Sequence, residues 1–130
     1  MCLQPDSAFD TWQNGNLGDM AGDHTNFFRT GAPLAASRIS DQQSIGNGNV
    51  ADGKWHNVLV SWSATDHTLT YWFDGKQAGT LNQDIVATYE GGSHYAHLGF
   101  TAGTGGAHNL QQVHLDSLTA WFEGQQHILA

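Results

Sequence analysis

The residues best equipped for chemistry lie near the start of the chain, in Phe9-Asp10-Thr11-Trp12-Gln13-Asn14 followed by Asp19 and His24. Two carboxylates, an amide oxygen, free loop carbonyls and an imidazole fall there within fifteen residues. Hard oxygen donors on a loop suit Ca²⁺, which takes about six to eight oxygens at about 2.3–2.6 Å. The stretch is not an EF-hand: Trp12 spoils the acidic pattern at its third position, and Ala21, at the twelfth, cannot be the bidentate carboxylate. The same residues also read as a plain polar loop, in which Asp and Asn side chains bond their own backbone in Asx-turns.

Stepping outward, strands must hold that loop. Residues Ser7 to Trp12 read as a short strand entering the glycine-rich loop, and Asn26 to Arg29 as a second strand leaving it. The stretch from Thr30 to Gly53 has weak periodicity, with Ala35 to Ile39 and Ser44-Ile45 as brief edge strands. From Lys54 the pattern sharpens: Val58, Val60 and Trp62 share one face by period two, and Leu69, Tyr71 and Phe73 do so in the next strand. Ala64 to His67 is the turn between them, and Asp74-Gly75 suits the positive φ of a tight hairpin turn into a third strand around Ala78 to Leu81. Further strands are expected over Ala96 to Thr101 and over Gln111 to Glu123, separated by the loop Ala102 to Asn109, and no helix is required.

Composition agrees with an all-β fold. The 130 residues suffice for one domain, taken as 1–130, and 16 Gly, five Trp, six Phe and three Tyr with two Pro fit short strands joined by glycine turns. A formal charge of −8 offers no footprint for phosphate backbones or anionic lipid, so nucleic acid and membrane are not expected partners. Asp6, Asp10, Asp19 and Asp23 all precede the first cation, Arg29, so the acidity is concentrated where an ion would bind. The single Cys2 excludes an intramolecular disulfide. Met1 to Pro5 lacks the regions of a signal peptide, so any export signal is expected outside this chain.

Phe-Asp-Thr-Trp-x-Asn, then Asp and His, resembles the metal-binding signature of L-type (legume-lectin-like) lectins. Four further features agree in order: Asp52-Gly53-Lys54-Trp55-His56-Asn57-Val58, the hairpin from Trp62 to Gly75, the run Leu98-Gly99-Phe100-Thr101-Ala102-Gly103-Thr104-Gly105, and the closing Trp121-Phe122. The resemblance implies an antiparallel β-sandwich, a concanavalin-A-like jelly roll, in which Ca²⁺ shapes a sugar-binding loop. It further implies Ca²⁺ ligation by the Asp10 and Asp19 carboxylates, the Asn14 side-chain oxygen and the Trp12 carbonyl. Asn14 would then present its NH₂ to a sugar hydroxyl, and Trp12 would stack on a pyranose face or, alternatively, pack inward. Gly105 and Gly106 fall in the loop whose main chain helps select the sugar.

This sequence departs from the family in two places. A second, transition-metal ion is held in the family by a Glu, both Asp and the His; here the Glu position is Ala8, leaving Asp10, Asp19 and His24. Family members are also about twice as long, so a truncated sandwich, completed by a second copy or rebuilt from fewer strands, is expected. The other histidines named by this pattern, His94, His97 and His108, lack close spacing with a carboxylate.

The related sandwich glucanases need paired carboxylates about 5–5.5 Å apart, of the E-x-D-x-E sort. Only Glu90 and Glu123 are present, neither with a carboxylate at i+2 or i+4, and there is no G-x-S-x-G elbow. Cys2 is an unconvincing nucleophile. The expectation is therefore a non-enzymatic, extracellular or cell-surface module that binds a glycan or polysaccharide with Ca²⁺ and forms homo-oligomers. A structural or assembly sandwich without sugar binding is the rival reading, and a divergent glycosidase a distant third.

Overall fold

The computed structural model describes residues 5–29, 38–89, 91, 98–103, 106, 108–122 and 125–129. Among the described residues the chain is all-β apart from one short α-helix and two 3-10 turns, and it divides into two compact units, Met1–Ala96 and His97–Ala130.

The first unit contains two three-stranded antiparallel sheets. One is ordered β1-β2-β3, from β1 (Pro5–Asp10), β2 (His24–Arg29) and β3 (Gln43–Ser44). The other is a meander ordered β4-β5-β6, from β4 (Val58–Ser63), β5 (Thr68–Phe73) and β6 (Lys76–Asn82). The sequence Thr-Leu-Thr-Tyr-Trp-Phe of β5 consists of β-branched, aliphatic and aromatic residues, which suits a central strand. Asp74 (φ 48°) and Gly75 (φ 77°) turn β5 into β6, with Phe73 opposite Lys76, the two-residue turn that an Asp-Gly pair favours.

The two sheets meet through aromatic rings. Tyr71 stands edge-on to Phe27, with centroids 5.1 Å apart, and Phe9 lies 5.7 Å from Phe73. The Tyr71 hydroxyl lies 2.6 Å from Thr25 Oγ1, so the buried phenol is satisfied inside the core. Phe27, Ile45, Tyr71, Phe73, Ala78 and Leu81 form that core, with Ile39, Val50, Leu69 and Ile85 packed at its margin. Along β2 the odd residues Thr25 and Phe27 face this core, so His24 and Asn26 lie on the opposite face of the sheet.

Several expectations need correcting. The first strand runs Pro5–Asp10 rather than Ser7–Trp12, because Asp10 and Trp12 are already engaged in the loop. A one-turn helix, α1 (Ile85–Tyr89), follows β6; Asp84 Oδ1 accepts from the Ala87 N–H at 2.9 Å and caps it. In the second unit, residues 98–103 and 111–118 form no strand. That unit's regular structure among the described residues is a two-stranded pairing of β7 (Thr119–Phe122) with β8 (Gln125–Ile128). Val58 and Val60, which the period-two pattern puts on one face, are 44% and 52% exposed. They share a face with Phe73 and Tyr71, but among the described residues β4 is the edge strand of its sheet.

Candidate metal centre

The site forms on the face of the first sheet that points away from the core. Asp10 ends β1 directly opposite His24, which begins β2, so their side chains emerge side by side. The intervening loop returns Asp19 to the same place through a single 3-10 turn at Gly15–Leu17, closed by Gly18 at φ 74°. One potential ligand atom each from Asp10, Asp19 and His24 lies within 4.8 Å of the others.

Each carboxylate divides its two oxygens between the loop and the cluster. Asp10 Oδ1 accepts from the Trp12 N–H at 2.9 Å, and Oδ2 faces His24 Nε2 at 4.0 Å. Asp19 Oδ2 accepts from the Asn14 N–H at 2.9 Å, and Oδ1 faces His24 Nε2 at 3.8 Å. The Asx-turn weighed against metal binding is thus present at Asp10, and in both residues the oxygen that bonds the loop backbone is not the one that faces His24. Burial pushes the Asp19 carboxyl up, but hydrogen bonds from Asn14 and Gln42 outweigh it and hold it below the ordinary 3.8. It is therefore anionic at neutral pH.

His24 is 1% exposed and 3.1 Å from the Gly22 carbonyl through Nδ1. That contact requires a proton on Nδ1, and Nε2 is the ring nitrogen turned toward the carboxylates. An imidazole oriented by a backbone carbonyl behind it is the usual support for a metal-binding histidine. Gly22, at φ 80°, approaches Gly48 so closely that a Cβ would lie 3.2 Å from the Gly48 backbone. This contact, with the Asp23 N–H donating to Gly48 O at 3.0 Å, anchors the carbonyl that orients His24.

Two groups absent from the sequence reading close the cluster. Gln42 donates through Nε2 to Asp19 Oδ1 at 3.0 Å and reaches His24 Nε2 at the same distance. Its Oε1 accepts from the Met20 N–H at 2.9 Å, so the amide is held at both ends. Arg38 forms an ion pair with Asp19 Oδ1, a carboxylate with 4% of its side chain exposed. Neither residue carried a local signal, since both lie in the weakly patterned stretch after Thr30 and reach the site through pairing with β2.

The remaining expected residues divide as follows. Trp12 is 65% exposed, which answers the packing alternative: its ring is on the surface. Asn14 is half-buried, with its amide 3.5 Å from the Trp12 carbonyl. The orientation of an Asn amide follows from its neighbours, and the reversed amide would place two oxygens side by side, as a cation requires. Ala8 sits on the same face, opposite Asn26, and contributes no donor. Gly105 lies outside the described residues, and Gly106 is exposed in the second unit.

The donor set fits a divalent cation: two carboxylates, an imidazole oriented by the Gly22 carbonyl, and an Asn amide with a backbone carbonyl alongside. To bind one, Asp19 Oδ1 must exchange the Arg38 and Gln42 donors for the ion. No helix among the described residues is long and apolar enough to cross a membrane. No family model matches the chain.

Proposed function

We propose that this chain is a cation-dependent carbohydrate-binding domain, similar to L-type lectins, that recognises a glycan or polysaccharide without altering it. The observation carrying this reading is the convergence of Asp10, Asp19 and His24 beside a loop with exposed Trp12 and half-buried Asn14. Ca²⁺ would take the two carboxylates, the Asn14 side-chain oxygen and the Trp12 carbonyl. Ligation through oxygen turns the Asn14 NH₂ outward to a sugar hydroxyl, and the Trp12 ring stacks on the apolar sugar face. His24 supplies a nitrogen donor for a transition metal sharing both carboxylates. Gly105 and Gly106 belong to the sugar-facing loop in this reading. Display outside the cell and self-association through the edge of β4 complete it.

A structural or assembly role is the second reading, favoured by one observation: Arg38 and Gln42 already satisfy Asp19 Oδ1 without any ion. Calcium and glycan measurements separate the two. After thorough chelation, added Ca²⁺ should raise the melting temperature, with a stabilisation of about 2.7 kcal/mol at 100 times Kd. A glycan array should give signals that chelator removes. An unchanged melting temperature from micromolar to millimolar Ca²⁺, with a blank array, selects the structural role.

A further inference from the structure

Asn26 is 1% exposed, and neither its amide nitrogen nor its amide oxygen has a hydrogen-bond partner among the described residues. Buried side-chain amides are normally paired, so an orphan of this kind points to a missing ligand, ion or water. Its neighbours in β2, Thr25 and Phe27, engage Tyr71 on the core side, which assigns Asn26 to the other face, two residues from His24. In the β1–β2 register Asn26 is opposite Ala8, just as His24 is opposite Asp10. The orphan amide is therefore on the site's own face, opposite Ala8, which offers no donor.

We propose that Asn26 is a further residue of the cation site, its Oδ1 serving as an oxygen donor to the ion or to a water that the ion holds. The inference rests on the reading that Asp10, Asp19 and His24 bind a divalent cation. An amide in this role is neutral, so the two carboxylates balance a divalent charge without a third anion. It also accounts for a polar side chain retained where an apolar one of similar size would pack without an unsatisfied group.

The test titrates the chelated full chain with Mn²⁺, following the free ion by its paramagnetic resonance, alongside thermal melts of the ion-free protein. Asn26→Leu should weaken Mn²⁺ binding about 10- to 100-fold, as loss of a supporting group at a metal site does. The ion-free Asn26→Leu chain should melt no lower than the parent, because an unpaired buried amide has been removed. Asn26→Asp should bind Mn²⁺ more tightly than the parent and remains informative if Asn26→Leu does not fold. Unchanged Mn²⁺ affinity in either folded variant overturns the role of Asn26, while loss of binding in Asp10→Asn keeps the cation site itself. A parent chain that binds no Mn²⁺ overturns both.

Discussion

Phe73 and Asn14 separate stability from recognition at the scale of single residues. Phe73 is 7% exposed and packs on Phe9 within the sheet-to-sheet core. Phe73→Ala should cost about 3–5 kcal/mol in urea unfolding, enough to unfold much of a marginally stable domain. Asn14 lies in the loop on the other side of β1, so Asn14→Ala should change ion-free stability by about 0.5 kcal/mol or less. It should nevertheless abolish the rise in melting temperature with Ca²⁺ and any glycan signal. A variant that keeps both would place the sugar site elsewhere. Asp10, Asn14, Asp19 and His24 were legible in the sequence because one local loop carries them all. Arg38, Gln42 and Asn26 were not, since their approach depends on strand pairing and on which face of β2 each occupies.

At the scale of elements, the β5–β6 turn holds the segment before β4 through His56 and Asn57. His56 Nδ1 lies 2.8 Å from Asp74 Oδ2, and Nε2 lies 3.1 Å from Asp52 Oδ1. Asp74 Oδ1 accepts from the Asn57 N–H at 2.8 Å, and Lys54 Nζ pairs with Asp52 at 2.7 Å. The His56 ring also stacks on Phe73 at 4.9 Å. With a carboxylate at each nitrogen, the ring is best bonded as imidazolium. The Asp74 hydrogen bond, opposed by burial and assisted by Asp52, raises its pKa above 6.5. His56 therefore contributes stability that is fully present below pH 6.5 and lost as pH rises through its folded value. The carboxylates run the other way: Lys54 draws Asp52 down to about 2, and His56 draws Asp74 below 3.8. Their contribution is present above 3.8 and lost as pH falls. Stability from this cluster should peak between 3.8 and 6.5, and His56→Gln should flatten the decline above that window in urea melts at stepped pH. An identical pH profile for the variant would show that the contacts carry no net energy. The hairpins behind this cluster were legible because alternation and Asp-Gly are local signals. The strand expected over Gln111 to Glu123 was not, because residues 111–118 have apolar alternation yet no strand partner among the described residues.

Across the whole molecule, two forces oppose each other on any encounter between copies. The formal charge of −8 repels a second chain at long range. Against it, β4 ends its sheet among the described residues, with Val58, Leu59 and Val60 exposed at 44%, 57% and 52%, so apolar side chains stand on both faces of that edge. Lysine or proline commonly protects such an edge, and neither interrupts Val58–Ser63. Pairing of β4 with the same strand of a second copy would satisfy its free backbone groups and cover these side chains with one twofold contact. The repulsion acts over a Debye length of about 8 Å at physiological salt and shrinks as salt rises, while burial of apolar surface does not weaken in this way. Self-association should therefore increase from low to moderate NaCl, the opposite of an assembly held by surface ion pairs. Leu59→Lys, on the face away from the core, should suppress it without unfolding the sheet, since the added charge stays in water. Sedimentation equilibrium at micromolar concentration reads both effects. One chain mass at every concentration and salt level would mean that this edge attracts no second copy.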